Sequence, residues 1–229
     1  MDAADPRSAA DVHELVEEAD AMNERGAYAD GLRLAEDVIV RAGRDAAPWT
    51  TKGWALENLG RLVEAEQAYT TALQLDPDSP LAAVGLATVL EKTGRRAEAS
   101  DIHRVVADRR VPPDEQSTDL LEIVGWSCFK TGRNGDAQRL FRRALDLEPG
   151  RIAARFDLAL AMLAGGHVEA ALLEYRKGLE DRGDAASVRA HAAVALEDLT
   201  DASRDLEGMD VTPVARLLRG FLATPPPDR

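Results

Sequence analysis

The segment Ala46–Ser79, AAPWTTKGWALENLGRLVEAEQAYTTALQLDPDS, contains the pattern on which the fold assignment depends. Apolar residues recur at spacings of three and four on both sides of Gly60, which predicts two amphipathic helices joined by a tight turn. A glycine at this point permits the positive φ that commonly ends a helix, and Pro77 cannot continue the second helix. The segment therefore predicts one helix–turn–helix unit, with a first and a second helix.

The same pattern recurs along the chain, mostly at a spacing of 34 residues. Further units occupy Pro80–Pro113, Thr118–Arg151 and Ile152–Ala185, and Asp114–Ser117 is inserted between two of them. A looser unit precedes them at Val12–Asp45. One such unit cannot bury its apolar face alone, so the repetition predicts a stack of helix pairs. The phase is set by three columns: Gly60, Gly94, Gly132 and Gly166; Ala65, Ala99, Ala137 and Ala171; Tyr69, His103, Phe141 and Tyr175.

This pattern resembles the tetratricopeptide repeat family, whose signature is a helix–turn–helix unit of 34 residues. The resemblance implies an all-α, right-handed solenoid of stacked helix pairs. We expect one superhelix over residues 12–223, with a degenerate cap at 186–223 that ends in a C-terminal capping helix. Residues 1–11 and 224–229 are expected to be flexible tails. The signature positions in the second repeat are Trp49, Gly53, Gly60, Ala65, Tyr69, Ala72 and Pro77.

The charge balance argues against nucleic acid and anionic membranes as partners. The formal net charge is −13, and a field of this sign repels polyanions. No apolar stretch approaches the ~20 residues that span a bilayer, and the N-terminus lacks the apolar core of a signal peptide. We therefore expect a cytoplasmic protein that is monomeric or weakly self-associating and that needs no cofactor.

The chain lacks the residue patterns that catalysis requires. His13 and Glu14 begin an HELVE run, but Glu17 stands where a zinc-protease helix needs its second histidine. The single cysteine, Cys128, falls on a first helix, where a buried thiol is usually inert. No glycine-rich phosphate-binding loop occurs in the sequence. The sequence predicts a protein without a catalytic, cofactor or metal site.

In the family that the sequence resembles, the fifth and ninth positions of each first helix line a concave groove. Only Asp20 and Glu122 of these ten positions are charged, so a largely apolar groove is expected. Some chaperone-binding relatives clamp a terminal carboxylate with Lys, Arg and Asn at such positions, and that clamp is missing here. The expected partner-binding residues are Thr50, Trp54, Val84, Thr88, Glu122, Trp126, Phe129, Phe156 and Leu160, with Lys92 and Lys130 at the groove edge.

These residues favour a non-enzymatic adaptor that binds an apolar peptide or helix of another protein. Two alternatives remain for the apolar residues of the expected groove. They mediate self-association of a structural scaffold, or the basic C-terminal helix Thr212–Leu222 folds back and occupies the groove of its own chain. A purely structural role for Trp126 and Phe129, tilted into the interior by the insertion at 114–117, is a further possibility.

Overall fold

The computed structural model describes residues 6–42, 44–180, 185–205 and 210–224, which form helices and turns without a β-strand. The chain divides into two compact units, unit 1 up to Val106 and unit 2 from Ala107. This confirms the predicted all-α class, and each unit consists of stacked helix pairs. The helices in the described residues are α1 (Pro6–Glu24), α2 (Tyr28–Ala42), α3 (Ala47–Asn58), α4 (Leu62–Leu75), α5 (Pro80–Lys92), α6 (Arg96–Ala107), α7 (Thr118–Lys130), α8 (Asn134–Leu147), α9 (Ile152–Ala164), α10 (Val168–Leu179), α11 (Ala185–Asp205) and α12 (Thr212–Ala223).

In unit 1, the helices pair in chain order and the first helices of successive pairs contact one another. The first helix α3 packs on its own second helix α4 and also contacts the neighbouring first helices α1 and α5. Leu56, Ala65 and Tyr69 form the core of this pair, each at most 3% exposed. Ala99 of α6 packs on Leu90 of α5 in the same way. The first helices of unit 1 therefore form one continuous layer.

Unit 2 repeats this arrangement and ends with α12 as the second helix of the last pair. The first helices α7, α9 and α11 contact one another in series, and α12 packs on α10 and α11. Arg189 of α11 donates hydrogen bonds to the carbonyl oxygens of Leu222 at 2.6 Å and Thr224 at 2.7 Å. These bonds satisfy acceptors that a helix C-terminus leaves open. Within the described part of unit 2, α12 contacts neither α7 nor α9 and therefore lies as a cap on α10 and α11.

The turn inside each of five helix pairs has the same construction. A glycine with a φ between 73° and 83° ends the first helix, a conformation that costs other residues free energy. In three pairs the next residue is an arginine whose side chain binds a carboxylate three residues on, at 2.6 to 2.9 Å. This ion pair holds the first turn of the second helix. The glycines are Gly26, Gly60, Gly94, Gly132 and Gly166.

The helices approach closely because aromatic rings lie against glycines. The ring of Tyr69 on α4 lies between Gly53 of α3 and Gly85 of α5. A Cβ atom at Gly53 would lie 2.8 Å from this ring, and one at Gly85 would lie closer still. Phe141 of α8 makes the same contact with Gly125 of α7, at 2.9 Å. These glycines of the first helices therefore provide space for the rings of Tyr69 and Phe141.

The N-terminal pair differs in detail from the sequence-based expectation. Helix α1 begins at Pro6, within the segment 1–11 that the sequence assigns to a tail, while residues 1–5 and 225–229 lie outside the described residues. Gly31 replaces the expected alanine because a Cβ there would overlap Oδ1 of Asn23. The Asn23 side chain is 1% exposed and donates to the carbonyl oxygen of Thr51 at 3.2 Å. A buried polar side chain thus occupies the space that the missing Cβ leaves.

Replacing Gly85 with alanine is expected to lower the free energy of unfolding by about 1–3 kcal/mol, because the new Cβ would overlap the ring of Tyr69. Gly135→Ala is the matched control. Apart from its chain neighbours and the backbone of its own helix, no heavy atom of the described residues lies within 4 Å of its Cβ position, and alanine is the better helix former by about 1 kcal/mol. Urea unfolding followed by circular dichroism measures both variants. Equal stability of Gly85→Ala and the wild type would contradict the packing described above.

Candidate functional site

Each unit has its own candidate site, the layer of its first helices, here called the first-helix face of that unit: α1, α3 and α5 in unit 1, and α7, α9 and α11 in unit 2. In unit 1, Trp54, Val84 and Thr88 are half-buried and present part of their side chains to solvent. Thr50 is 8% exposed, and its hydroxyl donates to the carbonyl oxygen of Ala46 at 3.2 Å. Three of the residues expected from the sequence thus lie at the surface of this unit, while Thr50 is largely internal.

Lys92, expected at the groove edge, binds a carboxylate of its own unit. Its Nζ donates to Oε1 of Glu57 at 2.8 Å, and the Tyr69 hydroxyl donates to Oε2 of the same carboxylate at 3.2 Å. Burial raises the pKa of the Tyr69 hydroxyl, so it remains a neutral donor. Glu57 therefore links α3 to both α4 and α5, and the charge of Lys92 is already balanced within unit 1.

In unit 2, Trp126 is a half-buried aromatic residue that packs on a more deeply buried ring. Its ring centroid lies 5.3 Å from that of Phe129, which is only 8% exposed. Nζ of Lys130 lies 5.8 Å from the centroid of the Trp126 ring, within the range of a cation–π contact. The three residues expected at this point of the face are therefore together, with Phe129 as the buried support and Trp126 as the accessible ring.

Two other expected groove residues, Phe156 and Leu160, lie in the interior of unit 2. They are 3% and 2% exposed. The Phe156 ring packs 5.4 Å from the ring of Tyr175, and a Cβ at Gly178 of α10 would overlap the Phe156 ring. The equivalent positions of the earlier repeats hold Ala72, Val106 and Ala144, so only Gly178 leaves this space. The ring of Phe156 fills it and turns away from solvent.

Glu122, the acidic residue expected on this face, is paired inside unit 2. Its carboxylate forms an ion pair with Nε of Arg151, which also binds Oδ1 of Asp119 at 2.5 Å. Burial raises the pKa of Glu122, and the neighbouring guanidinium acts in the opposite direction. The carboxylate is thus held by the chain itself, and Glu122 serves to connect α7 to the start of α9.

A pocket of about 40 Å³ lies between α9 and α11, with Tyr175 of α10 at its base. Tyr175 is 0% exposed, and its hydroxyl has no hydrogen-bond partner among the described residues. Burial, followed by the charges of Asp157 and Asp198, raises the pKa of this hydroxyl. The pKa of Asp157 is itself raised, first by burial and then by Asp198 and Glu122. The pocket is lined by Ala153, Phe156, Asp157, Leu160, Tyr175, His191, Val194, Ala195 and Asp198.

The sequence-based site did not include this pocket. Tyr175 belongs to the aromatic column and is expected only to fill the core. The available signal was Asp157, because the equivalent positions of the earlier repeats hold Thr51, Gly85 and Ile123. The three preceding repeats are neutral at this position, and only the looser first repeat has a carboxylate there, Glu17. A carboxylate directly after the buried Phe156 marks a place where the repeat departs from simple packing.

A larger hollow of about 440 Å³ lies in unit 2 beside the segment that connects α6 to α7. Arg133 donates to the carbonyl oxygen of Ala107 and to Oδ1 of Asp108, both at 2.9 Å. Arg143 donates to the carbonyl oxygen of Pro112 at 2.9 Å. These two arginines hold the connection that contains the four inserted residues, which gives the basic side chains a structural role. The hollow is lined by Ala107, Arg109, Val111, Val124, Cys128, Arg133, Asp136, Arg139, Leu140, Arg142 and Arg143.

The histidines, the cysteine and the carboxylates of the described residues do not form a metal site. Within the described ranges, no set of three or more His, Cys, Asp or Glu side chains is arranged to hold a metal ion. The HELVE run lies on α1, where Nε2 of His13 is 3.2 Å from the carboxylate of Glu17 on an exposed surface. Cys128 is 1% exposed, and burial raises the pKa of its thiol. None of the described helices combines the length and apolar character needed to cross a membrane.

Paired helices of this size, with a glycine turn in five of the described pairs and a layer of first helices in each unit, define a helical-repeat protein. A family model described as tetratricopeptide repeat matches residues 56–110 and 129–204. A second model with the same description matches residues 16–80. The chain belongs to the tetratricopeptide repeat family.

Known proteins with similar sequences or structures agree with this assignment. The chain is 23% identical over 133 residues to the TPR repeat-containing protein PA4667 of Pseudomonas aeruginosa, covering 58% of this chain and only 22% of that protein. TTC0263, a thermophilic TPR protein of Thermus thermophilus, has a TM-score of 0.61 at 22% identity over 81% of this chain and 99% of its own. PilF of Pseudomonas aeruginosa has a TM-score of 0.53 at 14% identity, over 93% of this chain and 94% of its own. The two structures show that the fold is shared.

Asp157→Asn is expected to be more stable than the wild type at neutral pH, because it removes a carboxylate that burial disfavours. A carboxyl group whose pKa is raised by folding binds its proton more tightly in the folded state. The free energy of unfolding of the wild type therefore falls as the pH rises from the unfolded-state pKa of about 3.9 to the raised value. The advantage of the variant should shrink as the pH falls towards about 4.

Urea unfolding of both proteins at a series of pH values measures this difference. A difference in the free energy of unfolding that stays constant between neutral pH and about pH 4 would contradict the raised pKa of Asp157.

Proposed function

We propose that the chain is a non-enzymatic binding module that holds an apolar segment of another polypeptide against a first-helix face. The observation that carries this proposal is the placement of Trp54 and Trp126. Both stand at the ninth position of a first helix, and both keep part of a large aromatic side chain in contact with solvent. Indole rings that a partner can bury supply much of the binding free energy in protein interfaces.

The surroundings of Trp54 suit an extended or helical peptide. Val84 and Thr88, one turn apart on the adjacent helix α5, are half-buried, and the Thr88 hydroxyl is already bonded to the carbonyl oxygen of Val84 at 3.0 Å. The Thr88 hydroxyl therefore has a partner within α5. Together the three side chains offer an apolar row across two first helices, which an apolar side chain of a peptide would cover.

Trp126 is the stronger of the two anchors. Phe129 supports its ring from the interior at 5.3 Å, and Lys130 lies over it. A ring held by its neighbours loses little conformational freedom when a partner covers it, so more of the contact energy contributes to affinity. The apolar partner segment is accordingly expected to place its best-buried side chain here.

The position of α12 supports an external partner over a self-occupied face. Val214 and Leu218 of α12 are fully buried, and within unit 2 this helix packs on α10 and α11. Trp126 on α7 and the pocket between α9 and α11 therefore belong to a different part of the surface from the one that α12 covers. Self-association of the chain is the competing function, and its mass in solution distinguishes the two.

The experiment is capture of partners from the native lysate, followed by binding measurements with each purified candidate. Trp54→Ala and Trp126→Ala are expected to weaken binding by about 2–4 kcal/mol if the indole is a central contact, which is about 30-fold to 1000-fold in Kd. Leu173→Ala is the matched control, because Leu173 is an apolar residue 51% exposed on the second helix α10. Circular dichroism verifies that each variant keeps its helices.

A partner bound equally by the wild type and by both tryptophan variants would exclude the first-helix face as the site. Light scattering over a range of concentrations tests the competing function. One result would favour self-association: the mass of the wild type rises with concentration to that of a dimer, whereas the mass of Trp126→Ala does not. The apolar segment would then belong to a second copy of the chain and not to an external partner.

A further inference from the structure

We propose that the larger hollow of unit 2, beside the segment that connects α6 to α7, binds an acidic segment of another polypeptide, in which glutamate or aspartate stands next to an apolar side chain. None of the residues proposed to bind on the first-helix faces lines this hollow. The hollow is therefore a second binding surface, and its assignment does not depend on the proposed function. It rests on the cations around the hollow and on the apolar residues between them.

The charge of the hollow is opposite to that of the chain. The chain has 28 Lys and Arg against 41 Asp and Glu, whereas the described lining has five arginines and one carboxylate. That carboxylate, Asp136, binds Arg133 at 2.9 Å and Arg139 at 2.7 Å, and the guanidinium of Arg133 lowers its pKa. Asp136 is thus ionised and already engaged. The five cations are Arg109, Arg133, Arg139, Arg142 and Arg143.

Arg142 and Arg143 have donors that the described part of the chain does not use. Arg142 makes one long hydrogen bond, from Nη2 to Oε1 of Gln138 at 3.3 Å. Arg143 donates through Nη2 alone, to main-chain carbonyl oxygens such as that of Pro112 at 2.9 Å. Neither forms an ion pair with a carboxylate of the described residues. A ligand carboxylate would supply the acceptors, because it can accept two parallel N–H bonds from one guanidinium.

The preceding repeat shows what balances a cation at the position of Arg142. Arg104 stands at this position there and binds the carboxylate of Asp101, three residues earlier, at 2.6 Å. The residue three positions before Arg142 is Arg139, a second cation. The acceptor that the preceding repeat provides on its own helix is therefore replaced by a guanidinium group.

The following repeat gives the same comparison for Arg143. Lys177 stands at its position and binds the carboxylate of Glu174, three residues earlier, at 2.7 Å. The residue three positions before Arg143 is Leu140, which lines the hollow. Two adjacent cations of α8 have thus lost the acceptors of the neighbouring repeats, one to a cation and one to an apolar residue. A segment with acidic and apolar side chains complements this combination.

The floor of the hollow is apolar. Val124 and Cys128 of α7 are each 1% exposed, while Leu140 of α8 and Val111 of the connection are half-buried. The volume of about 440 Å³ lies within the range of roughly 300–1,000 Å³ that is common for ligand clefts. An apolar side chain beside the ligand carboxylate would cover Leu140 and Val111 and remove apolar surface from water. A bare inorganic anion would leave this floor uncovered.

The hollow suits a nucleic acid less well than a polypeptide. None of the described residues that line it is aromatic, so no ring is available on which a base could stack. A long polyanion would also extend beyond the hollow over a chain whose net charge is −13. A short acidic segment needs only the local contacts.

The test is fluorescence anisotropy of a labelled peptide, GELEELG, titrated with the full chain at neutral pH. Saturable binding is expected, and Arg142→Glu should weaken it about tenfold or more, because reversing this charge removes donors and repels the ligand. Arg142 is exposed and makes only one long hydrogen bond, so the variant should fold. Arg219→Glu is the matched control. It makes the same charge change at an exposed position of α12 outside this hollow, and it should bind as the wild type does.

Salt and an uncharged peptide, GQLQQLG, separate contacts in the hollow from the effect of net charge. The peptide GELEELG and the chain are both negative, so general repulsion alone would make binding tighter as salt is added. Contacts between guanidinium groups and carboxylates predict the reverse, a Kd that rises with salt, and little binding of GQLQQLG. The methyl NMR signals of Val111 and Leu140 should shift with GELEELG, because its leucines would cover them.

Several results would overturn this assignment. They are equal affinity for the two peptides, tighter binding at high salt, unchanged affinity in Arg142→Glu, or no saturable binding of GELEELG. Sodium sulfate that shifts the Val111 and Leu140 signals as the peptide does would indicate a general anion site instead. An oligothymidylate that binds more tightly than the peptide and is lost in Arg142→Glu would assign the surface to nucleic acid. Trp126→Ala should bind GELEELG as the wild type does, so this surface and the first-helix faces are tested separately.

Discussion

The contact between an aromatic ring and a glycine of the adjacent helix sets the distance at which the helices of this protein stack. Tyr69 lies between Gly53 and Gly85, and Phe141 lies against Gly125. Because protein interiors are close-packed, even one methyl group at these glycines would push the first helices apart. The first-helix face therefore depends on residues that are themselves buried, and the positions of its tryptophans follow from how closely the rings and glycines fit.

Most of the fold could be predicted from the sequence because the contacts that build it connect neighbours in the chain. A turn glycine such as Gly60 and an aromatic residue such as Tyr69 recur once per repeat, and helix pairs stack in chain order. The turn glycines Gly60, Gly94, Gly132 and Gly166 all have positive φ, as their column predicts. Local periodicity specifies such an array almost completely, since few long-range contacts have to be guessed.

The candidate site could be predicted only in part, because exposure depends on which neighbouring side chain leaves space. Trp54 and Trp126 reach solvent, whereas Phe156 turns inward towards Gly178, a glycine in a column of alanine and valine. The pocket at Tyr175 is marked by a hydroxyl that has no hydrogen-bond partner among the described residues. The alignment of the repeats shows which residue types recur, but it does not show whether a hydroxyl has a partner. A family pattern describes the average repeat, and the individual features of this chain arise where single residues depart from it.

The glycines on both sides of Tyr69 also determine which segment of this chain is a transferable unit. Gly53 belongs to the same repeat as the ring, but Gly85 belongs to the next one. A repeat copied elsewhere in the array would carry its aromatic residue and would meet Ile123 or Asp157 where this ring meets glycine. A segment that keeps this packing when it is moved must therefore contain α3, α4 and α5 together. The unit of packing around this ring is thus three helices long and exceeds the 34-residue unit seen in the sequence.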